Sequence, residues 1–220
     1  MSRFHTLGAA LTLLAALGTP AAAQAQADAS AVARARADSL RYPYTEADIR
    51  FMTDMIGHHA QAIVMSKWAP SHGASATVQR LAARIINSQR DEIATMQRWL
   101  RARNQPVPDP DAPMKMDGMG MHGDHHPMLM PGMLTPAQME RLDAARGPEF
   151  DRLFLTFMIQ HHRGALTMVE DLFSTYGAAQ DAKVFKFASD VNVDQATEVA
   201  RMQKMLADLV FADFPGADAQ

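Results

Sequence analysis

Methionine, histidine and glutamate recur in this chain at helical spacing, and they do so twice. The segment MIGHHAQAIVM at Met55–Met65 returns 103 residues later as MIQHHRGALTM at Met158–Met168. Residues three, four and seven apart share one face of a helix. Met55, His58, Ala62 and Met65 therefore form a stripe with His59 on its flank, and Met158, His161, Ala165 and Met168 form its counterpart with His162 beside it. A second match follows each copy at an offset of 106: Gln89, Glu92, Ile93 and Met96 correspond to Gln195, Glu198, Val199 and Met202. Glu92 and Glu198 fall on inward stripes, where a carboxylate is costly unless it is paired or holds a metal. Thioether sulfur is a soft ligand that prefers Cu(I), and imidazole takes Cu(I) or Cu(II).

A plainer reading accounts for the same residues. Helical His can be a hydrogen-bonded core residue, a Met stripe can be adaptable packing, and Glu92 and Glu198 can pair with His58 or His161 across the fold. The repeat does not decide between the readings, because duplication copies structural residues too. The chain between the copies favours metal. Seven Met (Met114, Met116, Met119, Met121, Met128, Met130, Met133) and three His (His122, His125, His126) lie there among Pro and Gly. Exposed Met in such a segment has no packing role, and a Met/His strand without thiols suits copper better than zinc.

Four long helices and one short helix are expected to position these groups. Thr45 followed by Asp48 reads as a capped start for a helix from about Glu46 to Trp68, stopped before Pro70. The second, with Val78, Leu81, Ile85, Glu92, Met96 and Trp99 inward, should end near Arg103. Residues 104–134 read as a linker without periodicity. Thr135-Pro136 with Gln138 opens a short helix ending near Arg146. A third long helix spans Pro148–Tyr176 with Gly177 as its C-cap, and the fourth runs from about Ala179 to Phe211. No stretch alternates with period two. The expected class is all-α, a four-helix bundle made of two related helix pairs.

Residues 1–23 carry the pattern of a secretory signal peptide: Arg3, an apolar run over Leu7–Leu17, and Ala21-Ala22-Ala23 before Gln24. The run is too short to span a bilayer, so no stable membrane insertion is expected, and the protein should be periplasmic or secreted. Residues 24–44 read as a flexible lead-in, leaving one domain over 45–220 with helix pairs at 46–103 and 148–211. The formal charge of −3 includes no basic stripe, which argues against nucleic acid. The chain has no Cys, so a soft metal would depend on Met and His.

The paired MIxHHxxAxxM and QxxExxxM segments resemble the domain of unknown function 305 family, exported ferritin-like helical bundles that include periplasmic copper-binding proteins of the CopM type. The resemblance covers about Thr45–Leu209, with the linker as an insertion. It implies a ferritin-like fold and makes Met55, His58, His59, Met65, Met158, His161, His162 and Met168 the copper-ligand candidates. Gly164 and Thr167 differ from Gln61 and Val64, off the ligand stripe.

The expected function is copper binding that sequesters, buffers or delivers the ion, in exchange with other copper-handling proteins. No nucleophile, cofactor loop or general-base pair marks an enzyme. A di-iron oxidase would need Glu-x-x-His pairs that the chain lacks, although oxidation of bound Cu(I) stays open. The alternative from another class is a structural or partner-binding bundle with a His/Glu polar core, and oligomer formation through an exposed stripe is compatible with either. Replacing His58, His59, His161 and His162 by Ala should abolish a tight site, and deleting Met114–Met133 should remove only weaker ions.

Overall fold

The computed structural model describes Ser30 and residues 44–112 and 129–212. The expected signal peptide, most of the lead-in, and Met114, Met116, Met119, Met121, His122, His125, His126 and Met128 lie outside the described residues. Among the described residues there are five helices and no strand: α1 Glu46–Lys67, α2 Ala76–Arg101, α3 Pro136–Ala144, α4 Gly147–Ser174 and α5 Ala182–Ala212.

Local chemistry sets most of these bounds. Thr45 caps α1: its side chain accepts from Asp48 N at 3.3 Å, and Asp48 Oδ2 accepts from Thr45 N at 2.6 Å. Trp68 closes the helix, two residues before Pro70. Ser75 caps α2 through Val78 N, and Thr135 with Gln138 forms the same reciprocal cap on α3, with Pro136 at its first position. Asp181 caps α5 by accepting from Lys183 N at 2.8 Å and Val184 N at 3.2 Å.

The end of α4 departs from expectation. The helix stops at Ser174, and its cap is the extended Thr175, not Gly177. Gly177 takes φ +77° in the turn that follows, and Ala179 takes φ +56°. This turn delivers Ala179 N to Asp48 Oδ1 at 2.7 Å, a bond that a helix continued to Tyr176 would not offer.

Helix α1 packs along α2, α4 packs along α5, and the pairs meet through α1 and α4, with α3 against both. The buried apolar side chains fall into two halves. One holds Met65, Ile85, Phe150, Phe154, Met158 and Val199. The other holds Met55, Ile56, Ile93, Met168, Leu172 and Val191. Each long helix thus passes from one half to the other. Buried polar residues mark the crossing: His58 and His59 on α1, Gln89 on α2, His161 and His162 on α4, and Gln195 on α5.

Candidate metal centre

The four imidazoles of this polar layer are fully buried, and each has its Nε2 within hydrogen-bond reach of an oxygen. His58 Nε2 donates to Pro131 O at 3.0 Å, and His161 Nε2 donates to His58 O at 2.9 Å. His59 Nε2 donates to Glu92 Oε2, and His162 Nε2 donates to Glu198 Oε2 at 2.7 Å. Carbonyl and carboxylate oxygens only accept, so Nε2 carries the proton and the neutral ring keeps its lone pair on Nδ1. All four Nδ1 atoms are buried without a hydrogen-bond partner.

Burial, and then the neighbouring His59, pushes the His58 pKa down to about 3. Burial, and then His58, holds His161 well below the ordinary imidazole value. Both rings are therefore neutral at pH 7 and able to act as ligands. Their centroids lie 3.8 Å apart, with His59 6.4 Å from His58 and His162 6.2 Å from His161.

One expectation about this site needs correction. Glu92 and Glu198 pair with His59 and His162, not with His58 or His161. Neighbouring residues on a helix point about 100° apart, so the first His of each pair faces the α1–α4 contact and the second faces the carboxylate of its own helix pair. The flanking His are also as deeply buried as those on the stripe. Glu92 further accepts from Ser88 Oγ at 3.1 Å. Both carboxylates are half-buried, and Glu92 lines a cleft of about 400 Å³ between α2 and α5 with Asp91, Asp190 and Asp194. Burial, and then Glu92, Asp190 and Glu198, raise the Asp194 pKa.

The four repeat methionines lie on both sides of the layer. Met55 and Met168 pack in one apolar half, and Met65 and Met158 pack in the other. Among the described residues no three His, Asp or Glu side chains form a group that could hold a metal ion.

The end of the linker is not the free strand expected from its composition. Met130 packs partly buried against the half containing Met55 and Met168. It shares with Met168, Asp54 and Arg50 a cavity of about 260 Å³. From Met130 the chain crosses the layer as a strap. Gln61 grips Leu134 twice, accepting from its N–H at 2.8 Å and donating to its carbonyl at 3.0 Å. Gln160 Nε2 donates to Gly132 O at 3.3 Å. A Cβ on Gly164 would lie 2.0 Å from Pro131 O, and one on Gly132 would lie 2.5 Å from Gln160 O. Gln61 and Gly164, one of the equivalent pairs at which the repeat copies differ, are thus where the strap lands, although as an off-stripe difference the pair carried no role in the sequence.

Sequence reasoning also missed Asp151, and it read Asp48 only as part of the α1 cap. Each lies ten residues before its His pair and is buried. Asp48 accepts from Ala179 N in the loop of the other helix pair, and Asp151 accepts from Ser75 N at 3.1 Å. The signal was available, because the repeat extends backwards through Phe51/Phe154 to Asp48/Asp151. His72 lies outside the layer and ties the α1–α2 loop to the last turn of α3, with Nε2 2.9 Å from Asp143 O.

Fold and site together define an all-helical protein with a buried layer of four histidines between two apolar halves. No described helix is long and apolar enough to cross a membrane. The chain belongs to the family named Domain of unknown function (DUF305), whose sequence profile matches residues 48–206. It is similar to the structure of a DUF305 protein from Streptomyces coelicolor, provisionally named as secreted, with 30% identity over 74% of this chain and 93% of that one and a TM-score of 0.61. It is also similar to CopM in the Cu(II)-bound form, with 28% identity, 73% and 96% coverage and a TM-score of 0.56. The Cu(I)-bound form of CopM matches at 25% identity over the same shares, with a TM-score of 0.55. No curated protein matches the chain significantly.

Proposed function

We infer that this is an exported copper-binding protein that sequesters, buffers or delivers copper, built as a ferritin-like four-helix bundle from two duplicated helix pairs. The duplication reading is supported by equivalent residues in equivalent surroundings: His59–Glu92 with His162–Glu198, and Asp48–Ala179 with Asp151–Ser75. Export rests on the N-terminal pattern of residues 1–23.

One observation carries the metal reading. Each imidazole gives its Nε2–H to a carboxylate or backbone carbonyl and keeps a buried Nδ1 lone pair without a partner. Metal-ligating His is held in this way, its other ring N–H on a carboxylate or carbonyl that fixes tautomer and orientation. Met55, Met65, Met158 and Met168 are the thioether candidates near the layer, and the Met and His of residues 114–128 would capture or hand over ions. The partners are copper ions and other copper-handling proteins, and the role is binding without catalysis. Similarity to a protein solved with Cu(I) and Cu(II) supports copper as the ion.

The competing reading is a structural His/Glu polar core. It is favoured by the two His–Glu pairs and by the lack of a ready-made group of three His, Asp or Glu ligands among the described residues. Anaerobic Cu(I) titration against a chromophoric chelator, with Zn(II) in parallel, separates the two. Tight saturable Cu(I) binding that disappears when His58, His59, His161 and His162 are all replaced by Ala supports the copper site. Binding no stronger than the chelator background, or full binding by the quadruple variant, removes it. The linker deletion must stop at Met128, because a cut to Met133 would take Pro131 and Gly132 from the strap.

A further inference from the structure

Two buried glutamines also occupy the histidine layer. Gln89 on α2 lies between Ile85 of one apolar half and Ile93 of the other, and Gln195 on α5 lies between Val191 and Val199. They correspond in the repeat, and each precedes its glutamate, Glu92 or Glu198, by one turn. Gln89 is 1% exposed and Gln195 3%. Both carboxamide atoms of Gln89 and the Oε1 of Gln195 lack a hydrogen-bond partner. An apolar side chain like its neighbours would fill either position without leaving a buried polar atom unpaired, which is unfavourable. The same exception recurs at both equivalent positions, in a layer where four Nδ1 lone pairs are also unpartnered, and it leaves two amide oxygens there free to accept a ligand.

We propose that Gln89 and Gln195 are oxygen ligands of this layer, completing with the imidazole Nδ1 atoms a nitrogen–oxygen donor set that takes Cu(II). The proposal rests on the copper reading above. Nitrogen and oxygen donors suit Cu(II), whereas thioethers select Cu(I). The two glutamines therefore allow the layer to hold the oxidised ion, and the surrounding Met accommodate the reduced one.

The test compares the full chain with the Gln89→Leu/Gln195→Leu variant. Chelator competition gives Cu(II) and Cu(I) affinities, electron paramagnetic resonance of the Cu(II) form reads the donor set, and thermal unfolding reads the metal-free fold. The expected result is at least tenfold weaker Cu(II) binding with an altered spectrum, Cu(I) affinity within twofold of the parent, and a metal-free Tm that is unchanged or higher. Unchanged Cu(II) affinity and spectrum would overturn the assignment, as would equal weakening of both ions with a lowered metal-free Tm, the mark of a packing role. Full Cu(II) binding by the quadruple His→Ala variant would instead refute the histidine site itself, and the glutamine assignment with it.

Discussion

His161 donates from Nε2 to the backbone carbonyl of His58 at 2.9 Å, and the two rings lie 3.8 Å apart with 37° between their planes. Both are buried and neutral, with pKa values below the ordinary 6.5. In the unfolded chain each ring takes up a proton near that value, so the unfolded state binds more protons once the pH falls below it. Stability is full above pH 6.5 and is lost as the pH falls towards 3 for His58. The loss approaches about 1.4 kcal/mol per pH unit for each ring. Urea unfolding of the metal-free protein at pH 7.5, 6 and 5 should show this slope, and His58→Leu/His161→Leu should flatten it. A wild-type slope no steeper than the variant's would contradict neutral burial.

Gly164→Ala tests the strap. The added Cβ would meet Pro131 O at 2.0 Å, so the strap must lift and the His58–Pro131 bond must lengthen. Overpacking of this kind costs about 1–3 kcal/mol, against which better helix propensity returns up to about 1 kcal/mol. A net loss in denaturant unfolding is expected. Stability equal to or above the parent would show that the strap is not seated on α4.

Gln61→Leu removes both bonds to Leu134 and leaves that residue's buried N–H and C=O unpaired. Each unpaired group costs about 1–3 kcal/mol. Hydrogen exchange should report the change at Leu134 N–H before it appears elsewhere. Retained protection at that amide would mean that Gln61 is not its partner.

Asp151→Ala strips Ser75 N of its acceptor, and Asp48→Ala strips both Ala179 N and Thr45 N of theirs, leaving the Thr45 side chain still bonded to the backbone N–H of residue 48. Asp48→Ala should be the more destabilising, because it leaves the Thr45 N–H without its acceptor in addition to the lost loop bond. Thermal unfolding of the two single variants reads the order. Equal or reversed losses would remove Asp48 from its double role.

Much of the fold was legible before any coordinates. Thr45 with Asp48 and Thr135 with Gln138 announce capped starts, and Pro70, Pro136 and Pro148 punctuate the chain, because capping and proline act within one turn. The inward stripes and the repeat at Met55 and Met158 are equally local, and they brought the four histidines into view together. The end of α4 was misread because its turn answers to Asp48, 131 residues away.

What sequence spacing determined by itself is the set of helices, their buried faces and the His, Met and Glu that those faces carry. Only the tertiary structure decided which oxygen each imidazole meets: Glu92 for His59, Pro131 for His58, and the His58 backbone for His161. These partners depend on how α1 crosses α4 and on where the returning linker lands, and neither leaves a periodic trace in the chain. Gln61 and Gly164 show the difference most clearly. In the sequence they are mismatches in a repeat, and in the fold they are the grip and the gap that hold one strap over the histidines.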